Sequence, residues 1–103
     1  MSNRKKVVVI PGDDAAPEAV CPTVELLRRL ELDIDFEFPP SGGSAEETHG
    51  TGFPNETRAA IDAADATLYG TGSTSSAEIV RYLRWGKGTY ANVRPARWVP
   101  GCK

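Results

Sequence analysis

Cysteine and histidine are scarce in this 103-residue chain, and their spacing matches no metal-binding or disulfide pattern. Cys21 and Cys102 lie far apart without a C-x-x-C pair, and His49 is the only histidine. A zinc site and a disulfide framework therefore have no support, and reduced thiols are expected. His49 lies in a polar segment, where a histidine is typically a surface residue.

An excess of positive charge and a long apolar run are also missing. The net charge is −2 and the isoelectric point is near 5.3, which gives no general attraction to nucleic acid or to an anionic membrane. The first residues lack the apolar run of a signal peptide. We therefore expect a cytoplasmic protein that has neither nucleic acid nor membrane as a partner, folded as one unit over residues 1–103.

Four short apolar segments predict the strands of a largely parallel sheet. Residues 7–10 are a β-branched run ended by Pro-Gly, which is typical of a strand buried on both faces. Residues 34–38 alternate between apolar and acidic side chains, which is the period of a strand with one buried face. Residues 66–69 and 90–93 predict the third and fourth strands.

Helices are predicted between these strands. Residues 16–30 have apolar positions at helical spacing, and Pro22 within them predicts a kink or a late start to regular hydrogen bonding. Residues 54–64 and 76–84 predict two further helices. The alternation of strands and helices predicts an α/β fold, with a partial, largely parallel sheet, flanking helices and right-handed crossovers.

Two helix caps are predicted from serine and glutamate three residues apart. Residues 41–52 are rich in glycine, serine and threonine and predict a loop with one helical turn, in which Ser44 caps Glu47. Ser75 and Glu78 have the same offset and predict a capping box at the last helix.

Ligands of such sheets bind at the carboxyl ends of the strands, where small-residue loops lie in this chain. The G-T-G-S-T-S-S loop of residues 70–76 runs into a helix N-terminus, which favours a phosphate, an amide or a carboxylate. A small-residue turn with a helix cap explains the same residues equally well. Asp13 and Asp14 follow the first strand, and we interpret them as turn-capping residues rather than as general bases.

Arg84 and Arg94 stand ten residues apart around the predicted fourth strand. A guanidinium group can hold a carboxylate with two parallel hydrogen bonds, so a convergent pair would neutralise a small di- or tricarboxylate. Hydroxyl groups of residues 74–76 would add hydrogen bonds to such a ligand. The alternative is that both arginines, and Arg97 after them, are solvated surface charges.

Three motifs together resemble a known family. They are V-V-V-I-P-G-D-D-A-A-P-E-A-V, A-D-A-T-L-Y-G, and L-R followed by N-V-R-P-A-R. In this order they resemble the amino-terminal portion of the isocitrate/isopropylmalate dehydrogenases, the metal-dependent β-decarboxylating dehydrogenases. The resemblance implies that Arg84 and Arg94 bind the carboxylates of a 2-hydroxy acid, and that Glu78 and Val80 recognise its variable group.

The resemblance also implies cofactors and a partner subunit. Family enzymes oxidise the hydroxyl with NAD or NADP and then release carbon dioxide with the help of Mg²⁺ or Mn²⁺. Thr71 or Ser73 would lie near the nicotinamide. The metal is held by aspartates, partly from a neighbouring subunit, which implies a homo-oligomer.

Departures from the family pattern limit what we expect of this chain. Asp14-Ala15-Ala16 replaces the usual Gly-Ile-Gly, and the family's catalytic tyrosine and lysine, its metal aspartates and its third substrate arginine belong to segments that would follow Lys103. We therefore interpret the chain as a truncated family member that keeps part of the carboxylate site, has no catalytic or metal residues, and alone gives no turnover. The alternative is a non-catalytic binding or interaction module, or a decayed fragment.

Overall fold

A computed structural model describes residues 3–102 and confirms the α/β fold. The sheet has three parallel strands in the order β2-β1-β3, with β1 at Lys5–Gly12, β2 at Ile34–Glu37 and β3 at Ala66–Thr71. The helices are α1 (Ala16–Arg29), α2 (Gly42–His49), α3 (Asn55–Ala63) and α4 (Ala77–Arg81). A 3₁₀ turn, Thr74–Ser76, precedes α4, and a π turn, Tyr82–Gly86, follows it.

Strand β1 occupies the centre of the sheet, as its sequence predicts. It pairs in parallel with β2 on one side and with β3 on the other. Val8, Val9 and Ile10 are fully buried. Because a central parallel strand is covered on both faces, an unbroken β-branched run suits it better than an alternating one.

The core beneath one face of the sheet determines where α4 lies. Val8 and Ile10 point to the same face because side chains alternate along a strand. They form a buried cluster with Phe53, Ile61 and Ile79. Ile79 belongs to α4, so burial of this side chain holds α4 against the sheet.

Helix α1 has the extent predicted for it, ending one residue earlier, at Arg29. The helix continues through Pro22, and Val24 is its buried residue. None of the described helices is long and apolar enough to cross a membrane.

The predicted fourth strand at residues 90–93 is wrong. These residues form no strand, and Tyr90 and Val93 are 100% and 82% exposed. The Thr89 hydroxyl donates to the carbonyl oxygen of Leu83 at 3.1 Å, which ties the segment to the end of the preceding helix. Pro95 follows the segment and lacks the backbone N–H that pairs neighbouring strands. A strand that began at residue 90 could therefore not continue through residue 95 with regular hydrogen bonds.

Both predicted capping pairs are also wrong. Helix α2 is longer than the single predicted turn and begins at Gly42, so Ser44 lies inside it. At the predicted cap of Ser75 and Glu78, the chain enters α4 through a 3₁₀ turn. Hydrogen bonds in such a turn join residues three apart instead of four, so the capping residue differs from the one predicted for an α-helix. Ser73 accepts the hydrogen bond from the Ser75 N–H at 3.3 Å, and the Ser75 hydroxyl donates to Glu46 instead.

Candidate functional site

The loops at the carboxyl ends of the strands are tied together by one carboxylate. Asp13 Oδ2 accepts hydrogen bonds from the Ser73 N–H at 3.0 Å, the Ser73 hydroxyl at 2.9 Å and the Ser76 hydroxyl at 2.9 Å. Asp13 Oδ1 accepts one from the Gly43 N–H at 3.0 Å. We call this arrangement of Asp13, Gly43, Ser73 and Ser76 the Asp13 clasp.

The electrostatics of the clasp favour the ionised carboxylate. The hydrogen bond from the Gly43 N–H is the largest cause that lowers the pKa of Asp13, and those from Ser73 and Ser76 add to it. Partial burial acts in the opposite direction, and the resulting pKa is about 2. Asp13 thus has the loop-capping role predicted for it, whereas Asp14 is exposed.

The clasp decides between the two interpretations of the loop at residues 70–76. Its donors point to a carboxylate of the same chain, so the turn-and-cap interpretation describes this loop. Ser76 is fully buried against Asp13, and Ser75 bonds to Glu46. The prediction that hydroxyls of residues 74–76 reach a ligand beside the arginines is therefore wrong for these two serines.

Arg84 and Arg94 line one open cavity of about 560 Å³. Its other lining residues are Trp85, Thr89, Tyr90, Ala91, Asn92 and Val93. Arg94 Nε donates to Asn92 Oδ1 at 3.2 Å. No carboxylate among residues 3–102 forms an ion pair with either guanidinium group. We call this space the arginine cavity.

A second cavity, of about 320 Å³, shares Arg84 with the first. Its walls are mainly apolar or backbone, and its other lining residues are Tyr69, Gly70, Thr71, Gly72, Val80 and Leu83. Val80, Leu83 and Arg84 are three and four residues apart, which places them on one helix face. We call this space the apolar cavity. Arg84 therefore stands where a charged space meets an apolar one.

The structure brings together some of the predicted site residues and separates others. Val80 and Thr71 line the apolar cavity with Arg84. Glu78 lines a different cavity, together with Arg58, because residues two apart on a helix face different directions. Ser73 is held by Asp13. Leu83 is a lining residue that was not predicted from the sequence, although its helical spacing from Val80 could have revealed it.

A family model described as isocitrate/isopropylmalate dehydrogenase matches residues 6–103. The chain belongs to this family. The resemblance inferred from the three motifs is thereby confirmed, and it extends over nearly the whole chain.

Similar proteins include two enzymes named 3-isopropylmalate dehydrogenase. The chain is 37% identical to the 3-isopropylmalate dehydrogenase of Archaeoglobus fulgidus over 97 residues, which cover 94% of this chain and 30% of that protein. It is 39% identical to the 3-isopropylmalate dehydrogenase of Deinococcus radiodurans over 109 residues, which cover 93% of this chain and 31% of that protein. The chain thus spans slightly less than a third of the length of these relatives.

The metal and the nucleotide that the family implies fit the described residues to different degrees. Residues 3–102 contain no group of three or more histidine, cysteine, aspartate or glutamate side chains placed to hold a metal ion, so they do not by themselves fit Mg²⁺ or Mn²⁺. Thr71 is exposed at the wall of the apolar cavity, where its hydroxyl can meet a ligand. The Ser73 hydroxyl is already bonded to Asp13.

Proposed function

We propose that this α/β unit supplies part of the substrate site of an NAD(P)-dependent decarboxylating dehydrogenase, with Arg84 and Arg94 binding the carboxylates of a 2-hydroxy acid. The observation that supports this most strongly is that Arg84 and Arg94 line one cavity and that neither forms an ion pair with a carboxylate among the described residues. A dicarboxylate that bridges the two guanidinium groups would accept paired hydrogen bonds from them.

The apolar cavity points to the class of 2-hydroxy acid. A branched alkyl group beside Arg84 would contact Val80 and Leu83, and each buried CH₂ contributes about 0.8 kcal/mol. A third carboxylate in the same place would lose hydration without gaining a cationic partner other than Arg84. We therefore propose 3-isopropylmalate as the ligand in preference to isocitrate, and the names of the two relatives agree with this choice.

The residues of this chain bind and orient the substrate in this proposal. When bound, NAD or NADP supplies the hydride acceptor, and we propose that Thr71 is the residue nearest to it. Among residues 3–102, no histidine, lysine or carboxylate lines the arginine cavity or the apolar cavity. We therefore propose that the 103 residues by themselves bind substrate without turnover. The cytoplasmic location stays a prediction.

Calorimetric titration with 3-isopropylmalate tests this function. Arg84→Ala should weaken binding roughly 10- to 100-fold, because hydrogen bonds to a charged group contribute about 1.5–3 kcal/mol. Arg97→Ala is the matched control, since it removes the same charge from an exposed residue outside both cavities. Its affinity should stay close to that of the unmodified chain. Equal losses in the two variants, or no saturable binding at all, would contradict the proposal.

A second candidate, an interaction module whose partner is another copy of the chain, is supported by exposed apolar side chains near the carboxyl end. Tyr90, Val93 and Trp98 are 100%, 82% and 74% exposed. Exposed apolar groups this close in sequence are typical of contact surfaces. Sedimentation velocity separates the two candidates. Dimers that form with rising concentration, weaken in Trp98→Ser and ignore 3-isopropylmalate would favour the module.

A further inference from the structure

The Asp13 clasp joins the loops that follow all three strands. Asp13 directly follows β1, Gly43 lies in the first turn of α2 after β2, and Ser73 and Ser76 follow β3. The backbone contributes one more link, since the Asp13 N–H donates to the Thr71 carbonyl oxygen at 2.9 Å. With four donors on one carboxylate, Asp13 is a single side chain that is bonded to the loops after β2 and β3.

The clasp is connected to the wall of the apolar cavity by direct contacts. The Ser76 hydroxyl, held by Asp13, lies 3.4 Å from the hydroxyl of Tyr69, which lines that cavity. Gly72 lines the cavity too, and its surroundings are tight. A Cβ atom added at Gly72 would lie 1.9 Å from Ser76 Oγ and 2.2 Å from the Tyr69 hydroxyl. Movement of Ser76 would therefore change its contacts with Tyr69 and Gly72 in the cavity wall.

We infer that Asp13 is a positioning residue for substrate selection: by holding Ser73 and Ser76 it sets the wall of the apolar cavity and so the affinity for the alkyl group of the ligand. This inference rests on the proposed function. It predicts that loss of the clasp lowers affinity for the alkyl group more than affinity for the carboxylates, because no hydrogen bond or ion pair among the described residues joins Asp13 to Arg84 or Arg94. A purely structural role would lower both together.

The first experiment compares Asp13→Asn with Asp14→Asn. The two variants lose the same charge at adjacent positions, and asparagine tolerates the left-handed conformation of residue 14 (φ 56°). We expect Asp13→Asn to weaken 3-isopropylmalate binding roughly tenfold, within the usual range of coupling between sites. Malate, which lacks the alkyl group, should bind with nearly unchanged affinity. In Asp14→Asn, the ratio of the affinities for 3-isopropylmalate and malate should equal that of the unmodified chain.

The second experiment restores the missing anion. Asp13→Ala leaves the donors of Gly43, Ser73 and Ser76 converging on an empty space, where formate can take the place of the carboxylate. Added formate should recover the affinity for 3-isopropylmalate in Asp13→Ala and leave Asp14→Asn unaffected. If Asp13→Ala does not fold, the affinity ratio in Asp13→Asn decides the matter alone.

Two outcomes would overturn the inference. One is a folded Asp13→Asn variant whose ratio of affinities for 3-isopropylmalate and malate equals that of the unmodified chain. The other is formate that raises the melting temperature of Asp13→Ala without changing ligand affinity, which would mean that the clasp only stabilises the fold.

Failure of the proposed function can be distinguished from failure of the inference about Asp13. If the unmodified chain binds neither acid, the positioning role is measured by NMR on the cavity wall itself. The Gly72 amide and Tyr69 ring resonances should shift in Asp13→Ala and return with formate. Resonances that do not move on loss of the carboxylate would contradict the role of Asp13, independently of any substrate.

Discussion

Asp13 and Asp14 are adjacent in sequence but differ completely in environment. Asp13 accepts four hydrogen bonds, and Asp14 is exposed. The sequence predicts a capping aspartate after β1, but it cannot choose between the two residues. The deciding donors, Gly43 and Ser73, lie 30 and 60 residues further along the chain.

The pKa of Asp13 predicts how acid affects stability. Its pKa is lowered from 3.8 to about 2 on folding, so the folded state favours the ionised form. The clasp therefore stabilises the fold fully above about pH 4, and this contribution of about 1–2 kcal/mol is lost as the pH falls toward 2. Urea unfolding should show that the stability gap between the unmodified chain and Asp13→Asn narrows over this range. A gap that stays constant down to about pH 2 would contradict this.

At the scale of elements, local sequence patterns predicted β1, β2, β3, α1 and α3. The pattern is an unbroken β-branched run in β1, alternation in β2 and helical spacing of apolar residues in α1. It failed for α2, whose sequence G-G-S-A-E-E-T-H has almost no apolar face. This helix depends on distant groups, since Asp13 accepts the hydrogen bond of Gly43 in its first turn. The prediction for residues 90–93 failed for the opposite reason. These residues have the local pattern of a strand, but no strand of the described sheet pairs with them.

Two glycines at the ends of α2 provide a matched test of this dependence. Gly42 has φ +65°, and an added Cβ would lie 2.3 Å from Asp13 Oδ1. Gly50 has φ +75°, and an added Cβ would meet nothing within 4 Å. Both alanine variants should lose about 1 kcal/mol from the left-handed backbone.

Gly42→Ala should lose about 1–3 kcal/mol more, because the carboxylate must leave one of its donors. Thermal unfolding of the two variants measures the difference. Equal destabilisation at Gly42 and Gly50 would show that Asp13 does not support α2.

At the scale of the whole molecule, the sheet, the core and the clasp together determine the position of Arg84. Ile79 holds α4 against β1, and the π turn that follows contains Arg84. The motifs of the sequence were sufficient to identify the family, whereas the substrate role of Arg84 and Arg94 stays a prediction. They could not show that Val80 and Glu78 line different cavities, since that depends on how α4 rotates as its apolar side packs.

NMR of the unmodified chain during titration with 3-isopropylmalate tests most directly whether Arg84 joins a carboxylate site to an alkyl site. The Arg84 Nε–H and the Val80 methyl resonances should shift together with one dissociation constant, whereas malate should shift only the Arg84 signal. A ligand that moves Arg84 but leaves Val80 unchanged, or that moves neither, would contradict the account.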